Sequence, residues 1–434
     1  MRISRRELIK TGGLAIAAGA ATVSIARGEV DGVHGENPPT IALPPAFDSL
    51  KPIRDRINPI TPDERKARIA RAQELMTNAN PQFSALFIAP GTSLFYFTGV
   101  RWWPSERLLA LLIPRTGEPV FICPAFEEGR LRESSRWPIE VRVWQEDESP
   151  YGVAAGWLAD RHLQHGSMGI EEKTAYAFFD GMRKANPSSE YVSGDPITAG
   201  CRERKSEHEL ALMRLACAAT CDVYKATFAS LSEGLTEQTV AEWVALGYNK
   251  MGLEGEAMVL FGAAASFAHG SRQSQPLREG DAVLLDDGTT VEGYQSDVTR
   301  TSFLGKPTDK LQRAFELARK AQDAALAAAV TGKTCGSVDD AARNVITRGG
   351  YGPCYKYFAH RLGHGIGLDG HEQPYLVRGN PTILAAGMTF SNEPGIYVPG
   401  DFGLRCEDDM VITADGAAQL LTPGFQPSLE TPVG

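Results

Sequence analysis

Apolar positions along this chain fall into two regimes of spacing, and the change between them divides it. From Thr61 onward short apolar runs, bounded by Gly and Pro, read as strands at Ala85–Ala89, Leu94–Thr98, Leu108–Pro114, Pro119–Cys123, Glu140–Trp144 and Met168–Glu171. Between them the spacing predicts helices from Thr61 to Asn78, where Thr61-Pro62-Asp63-Glu64 forms a capping box, and near Phe126–Ser134, Val153–His165 and Ala175–Ala185. Strands alternating with helices imply an α/β domain over residues 61–200. A second capping box, Ser206-Glu207-His208-Glu209, opens a helix whose Leu210, Met213, Ala216 and Ala219 make one apolar stripe. Further helices are expected at Glu237–Met251, Asp309–Val330 and Val338–Thr347, with Gly-rich strand-like segments between and after them. That pattern is α+β and covers residues 201–434.

The first 60 residues follow neither pattern. A charged start, Ser4-Arg5-Arg6-Glu7-Leu8-Ile9-Lys10, precedes an apolar run from Thr11 that ends on Ser24-Ile25-Ala26. This is the layout of a signal peptide over residues 1–26, and its paired arginines resemble a twin-arginine export signal. The run is short of the roughly 20 residues a membrane span requires, so no stable span is expected once the signal is removed, and a periplasmic or secreted location follows. Residues 27–60 are rich in proline and read as a linker or draped arm.

Charge and cysteines narrow the function classes. The formal net charge is −9, and losing four basic residues and one acid with the signal takes it to −12. No basic stripe breaks that balance, which argues against nucleic acid as a partner. The 7 cysteines include no CxxC pair, which removes zinc-ribbon and thioredoxin readings. Cys217 and Cys221, one helical turn apart, read as packed thiols, and a single disulfide elsewhere is compatible with export.

The candidate chemistry lies in the second half, which holds His269, His360, His364 and His371 of the 8 histidines. Val283-Leu284-Leu285 should bury as a strand, yet it delivers Asp286, and a turn near Val291–Gly293 would bring Asp297 back beside it. Cross-strand carboxylates about 5 Å apart repel, and a cation between them removes the conflict. Gly363-His364-Gly365-Ile366-Gly367 sets a histidine among glycines that allow close backbone approach. It lacks the preceding strand and following acid of a dinucleotide loop. Glu393 ends an apolar strand before Pro394-Gly395, and Glu407 leads into another. Two Asp, one His and two Glu form an oxygen-rich set suited to a pair of Mn²⁺, Co²⁺, Fe²⁺ or Zn²⁺ ions rather than one tetrahedral zinc.

Asp286-x-Gly288, Gly293-Tyr294-x-Ser296-Asp297-x-Thr299-Arg300-Thr301, Gly363-His364-Gly365-x-Gly367, His371-Glu372, Asn392-Glu393-Pro394-Gly395-x-Tyr397 and Arg405-x-Glu407-Asp408 resemble the successive signatures of the aminopeptidase P, prolidase and creatinase family. The resemblance spans roughly residues 60–420. It implies a creatinase-like N-terminal domain and a pita-bread catalytic domain. It implies Asp286, Asp297, His364, Glu393 and Glu407 as ligands of two divalent ions, manganese foremost. It marks His269, His360, His371 and Arg405 as catalytic neighbours. Asp287 replaces a small residue beside the first ligand, and Cys406 replaces an aliphatic one and would make the site oxidation-sensitive.

The implied activity is hydrolysis of Xaa-Pro peptide bonds, of aminopeptidase P or prolidase type. A metal-bridged hydroxide would attack, with Glu393 moving its proton and His269 or His371 facing the oxyanion. The alternative is a hydrolase or lyase of a small non-peptide substrate on the same fold, and a binding module without activity is disfavoured because all five ligands are present. The resemblance further implies a homodimer or homotetramer, with Trp102-Trp103 either at a subunit edge or packed in the core.

Overall fold

A computed structural model describes residues 41–434 apart from positions 136, 272 and 274, so the expected signal segment and the first part of the arm lie outside the described residues. The rest of the arm, 41–60, is draped rather than free. It makes two short 3₁₀ turns, Pro45–Ser49 and Arg54–Arg56, and buries Phe47, Leu50, Ile53 and Ile60. The Ile53 N–H donates to the Met251 carbonyl at 3.1 Å, and Phe47 packs so closely on Gly247 that a Cβ there would meet its ring at 3.0 Å.

The helix α1, Pro62–Asn78, begins where its capping box places it. Strands β1 (Phe83–Ile88), β2 (Ala110–Pro114), β3 (Val120–Pro124), β4 (Glu140–Trp144), β5 (Gly166–Ile170) and β6 (Ser189–Ser193) form a six-stranded sheet in the order β4-β3-β2-β1-β5-β6. The β1–β2 and β2–β3 pairs are antiparallel and the outer pairs parallel. Helices α2 (Thr92–Thr98), α3 (Glu128–Ser134), α4 (Pro150–Asp160), α5 (Tyr176–Ala185) and α6 (Asp195–Arg202) complete this half. Strand alternation sends Ala85 and Phe87 to one core with Trp157 and Phe178, and Leu86 and Ile88 to the other.

One expectation fails here, two elements were not anticipated, and one of the two settings offered for the tryptophans does not hold. Leu94–Thr98 is helical, not a strand. Its aromatic run favours a strand by propensity, but Gly99 in the left-handed region closes a helical turn by donating to the Phe95 carbonyl at 2.7 Å. The edge strand β6 and the helix α6 escaped notice because Ser189-Glu190-Tyr191-Val192-Ser193 has little apolar signal. The Trp102-Trp103 pair is not packed in the core, since Trp103 is 76% exposed while Trp102 is half-buried beneath Arg130.

The second half starts with α7 (Glu207–Phe228) and α8 (Glu237–Met251). Strands β7 (Met258–Phe261), β8 (Ala282–Asp286) and β11 (Arg300–Phe303) form an antiparallel sheet, with the small ribbon β9 (Thr290–Val291) and β10 (Tyr294–Gln295) at the β8–β11 connection. After α9 (Asp309–Ala328) and α10 (Cys335–Ile346) come β12 (Gly363–Gly365), β13 (Glu372–Leu376) and β14 (Thr389–Asn392). Then follow β15 (Gly395–Val398), β16 (Phe402–Arg405), β17 (Asp408–Ile412) and β18 (Ala418–Leu420). The main sheet has the order β13-β12-β14-β17-β18, and β15–β16 is a separate ribbon. One apolar cluster continues from Leu86 and Phe121 of the first half into Met213, Val244 and Leu285 of the second, so the halves share a core.

All 7 cysteines are free thiols. No helix among the described residues is long and apolar enough to cross a membrane.

Phe47→Ala should lower unfolding free energy by about 3–5 kcal/mol, the range for truncating a buried Phe. Urea denaturation would read this as a lower midpoint at unchanged slope. A loss below about 1 kcal/mol would mean that the arm only rests on the surface.

Candidate metal centre

The two inner sheets converge on one buried space. On the β8 side, Asp286 is the last strand residue, and the chain turns through Glu292 and Gly293, both at positive φ (52° and 88°), where the sequence placed the turn. The returning register differs from expectation. Leu285 pairs with Arg300, so Thr299 rather than Asp297 lies level with Asp286. The ladder has ended before Asp297, which reaches the centre from the loop ahead of β11. Even so, carboxylate oxygens of Asp286, Asp297 and Glu407 all lie within 4.8 Å of one another.

On the other side, β12 is squeezed between β13 and β14. A Cβ on Gly363 would stand 2.0 Å from the Ser391 carbonyl oxygen, so only glycine allows the approach. That approach lets the His364 N–H donate to Ser391 Oγ at 3.0 Å, while the same hydroxyl donates to Glu393 Oε1 at 3.1 Å. Glu393 follows β14 directly, and its N–H donates to the Leu362 carbonyl at 2.9 Å. Glu407 stands between β16 and β17 with its N–H on the Thr299 carbonyl at 3.3 Å. Asp286, Glu393 and Glu407 therefore stand at or just beyond strand ends, His364 lies within β12, and Asp297 is held in its loop by its N–H on Asp409 Oδ2 at 3.0 Å.

The electrostatics of this space are those of a cation site. His364 Nδ1 faces the Gly365 carbonyl at 3.1 Å, which assigns its proton there and leaves the Nε2 lone pair pointing inward. Nε2 lies 3.3 Å from Glu393 Oε1 and 3.6 Å from Asp297 Oδ2, an acceptor facing acceptors. Burial, reinforced by His371, pushes His364 down to about 3, so it stays neutral. Burial raises Glu393; Arg405 opposes this and Asp286 reinforces it, leaving the carboxyl at about 8. Burial and the charge of Asp286 hold Asp297 well above the carboxylate range, and burial with Asp297 does the same to Glu407. Asp286 moves the other way, because Arg405 and the Thr299 hydroxyl outweigh its burial.

Three overlapping donor groups occur: Asp297, His364 and His371; His364, Glu393 and Glu407; Asp286, Asp297 and Glu407. The Thr299 hydroxyl lies 2.5 Å from both Asp286 Oδ1 and Glu407 Oε2, yet it has one proton to give. Buried carboxylates, an inward lone pair and too few protons fit divalent metal ions.

The flanking residues are ordered around this cluster. The His371 ring stacks on His364 at 3.6 Å and is itself exposed. His360 Nε2 meets the Tyr397 hydroxyl at 2.9 Å, its Nδ1 lies 3.6 Å from Glu393 Oε2, and burial aided by Arg405 pushes it down to about 3. Buried Arg405 donates to Asp286 Oδ2, to Thr299 Oγ at 2.9 Å, to Tyr397 at 3.0 Å and to the Ala268 carbonyl at 3.2 Å. His269, next to Ala268, is exposed, and its side chain makes no hydrogen bond among the described residues.

Several participants were not singled out in the sequence. Thr299 and Tyr397 sit inside quoted motifs, where their hydroxyls gave a signal that went unused. Asp409 is fully buried and takes the Asp297 N–H at 3.0 Å and the Cys217 thiol at 3.3 Å, so the packed-thiol reading of Cys217 gains a partner. Arg361 is exposed, with its guanidinium over the Tyr375 ring at 4.3 Å, and its charge acts on His364, His371 and Glu393. One expectation is corrected. Cys406 packs into the apolar core and burial pushes its thiol up to about 12, so it lacks the thiolate that oxidation requires.

Comparison with known proteins agrees with this geometry. The model of metallopeptidase family M24 matches residues 211–414, and that of the creatinase/prolidase N-terminal domain matches residues 68–204. The chain is 35% identical over 338 residues to the Xaa-Pro dipeptidase of Lactobacillus delbrueckii subsp. lactis, covering 76% of this chain and 90% of that protein. Among solved structures it is similar to dipeptidase PepE from Mycobacterium ulcerans (TM-score 0.78, 32% identity, 85% of this chain and 98% of that one). It is also similar to prolidase from Thermococcus sibiricus (TM-score 0.75, 31% identity, 83% and 97%). A creatinase-type N-terminal domain joined to a pita-bread catalytic domain with this donor cluster makes the chain a metallopeptidase of family M24.

Proposed function

We propose that the chain is a prolidase-type enzyme that hydrolyses Xaa-Pro dipeptides with two divalent ions, manganese foremost, held by Asp286, Asp297, His364, Glu393 and Glu407. The observation that supports this is the set of three overlapping donor triples, in which the five proposed ligands recur in adjoining groups rather than in a single one. Bound divalent ions supply Lewis acidity for the carbonyl and acidify the attacking water. Glu393 takes the water proton as the oxygen attacks the carbonyl carbon, and passes it to the proline nitrogen as the C–N bond breaks. The Ser391 hydroxyl donates to one of its oxygens and holds it for both transfers, with His360 beside the other. His371, stacked on His364 and exposed, would donate to the carbonyl oxygen, with His269 as the alternative donor. Arg405, paired with Asp286 and Tyr397, keeps the first ligand aimed.

The dipeptide preference is supported by the names of the relatives and by Arg361. An exposed guanidinium with no ion-pair partner among the described residues stands where its charge reaches the centre. A free proline carboxylate would meet it there, whereas a longer peptide presents a neutral amide. Export through residues 1–26 belongs to the same proposal and puts the activity outside the cytoplasm.

Metal-stripped protein should regain cleavage of Gly-Pro and Ala-Pro when Mn²⁺ is restored, leaving a proline-free control intact. Metal binding without cleavage of any peptide would overturn the peptidase reading in favour of a small non-peptide substrate. Glu393→Gln should lose about 10²–10⁴-fold in kcat. Arg361→Met should raise KM for Ala-Pro about tenfold, from one lost charged contact, but leave KM for the Ala-Pro amide unchanged. Equal effects on both substrates would remove Arg361 from carboxylate recognition. N-terminal sequencing of the exported chain should begin near residue 27, and an intact start in the cytoplasm would refute export.

A further inference from the structure

His371 faces the centre without any side-chain hydrogen bond among the described residues; its ring contact is the stack on His364. Its backbone must therefore set its place. That backbone spans Ile366–Glu372, the connection from β12 to β13, and both its acids are gripped from outside the catalytic sheet. Asp369 Oδ1 accepts from the Thr92 hydroxyl at 2.5 Å, and Oδ2 from Arg202 Nη2 at 2.6 Å. The same Arg202 nitrogen donates to Glu372 Oε2 at 2.5 Å, and Lys205 donates to Glu372 Oε1. Thr92 is the first residue of α2 and Arg202 the last of α6, so both belong to the N-terminal half. Lys205 and Glu372 are buried, with side-chain exposures of 2% and 7%.

The loop is also tight from within. A Cβ on Gly367 would stand 2.6 Å from Glu372 Oε1 and 2.7 Å from Lys205 Cε, and the Gly367 carbonyl takes the Gln295 N–H at 2.7 Å. His371 is thus bracketed by two clamped residues, Asp369 two before it and Glu372 one after.

We propose that Arg202 and Thr92 of the N-terminal half, with Lys205 from the connection that follows it, form a positioning device that fixes His371 over the metal centre through Asp369 and Glu372. The ligands are held by strands or, for Asp297, by Asp409, and none of them is bonded to the clamp among the described residues. A displacement of His371 by about 1 Å is enough to cost on the order of 100-fold in rate. Arg202 reaches both carboxylates through Nη2 at the far end of its rigid planar group, whereas the ammonium of a shorter Lys would stop short of that point. This rests on the peptidase reading above, in which His371 touches substrate.

The test compares the full-length protein, Asp369→Asn, Arg202→Lys, His371→Ala and the Asp369→Asn/His371→Ala double variant, each with Mn²⁺ and Ala-Pro. Asp369→Asn and Arg202→Lys are expected to lose about tenfold in kcat, part of the full misplacement cost, with KM unchanged. Co²⁺ titration followed by visible absorption should show the same metal affinity as the parent. In the His371→Ala background, Asp369→Asn should cost nothing further, because two changes acting through one group do not add. An equal added loss in that background, or weakened Co²⁺ binding, would overturn the proposal. Hydrogen exchange gives a readout independent of activity: faster exchange over 366–371 in Asp369→Asn is expected, and unchanged protection would overturn the clamp. If the parent cleaves no peptide, the peptidase reading fails by itself while the exchange result still judges the clamp.

Discussion

Like charges held together out of water are the constraint around which this molecule is built. Asp286, Asp297, Glu393 and Glu407 share one space in which none is well exposed, and water cannot screen them from each other. Arg405 supplies positive charge on the Asp286 side, Thr299 and Ser391 add hydroxyls, and the remainder of the imbalance invites a cation. A flexible framework would relax by moving the acids apart. The chain prevents this by placing Asp286, Glu393 and Glu407 at strand ends and pinning the Asp297 loop on Asp409, with glycines where the strands come closest.

The same constraint explains what the sequence revealed. Motifs made of an acid next to an apolar run are legible, because burial of the run forces burial of the acid. Asp286 and Glu393 were legible in this way, while Asp297, His364 and Glu407 were assigned through the family resemblance, and all five come together in overlapping groups. The turn at Glu292-Gly293 was legible too, since two successive positive φ angles leave few residue choices. The register beyond it was not. A shift in where the ladder ends turns an opposite pair into a diagonal one, and nothing in Ser296-Asp297-Val298-Thr299 says which residue stands level with Asp286.

What escaped altogether were partners whose signal exists only in three dimensions. Arg202, Lys205, Asp369 and Glu372 are ordinary charges in sequence, separated by more than 160 positions, and meet only because two halves fold against each other. The helix at Thr92–Thr98 was misread for a related reason. Its aromatic residues suit a strand locally, but they are buried on most sides, and Gly99 settles the matter by capping. Cys406 shows the opposite error, in which proximity in sequence to two site residues suggested exposure to chemistry that the chain's alternation denies.

The apolar cluster that passes uninterrupted from the six-stranded sheet into α7, α8 and β8 carries a consequence for how this protein can change. Where this cluster crosses between the halves, neither can be loosened without disturbing packing in the other. A substitution in Leu86 or Phe121 is felt in the same packed volume as one in Leu285, a residue away from the first ligand. Packing thus ties the two halves together, so that a change in the core of either reaches the strands that carry the chemistry.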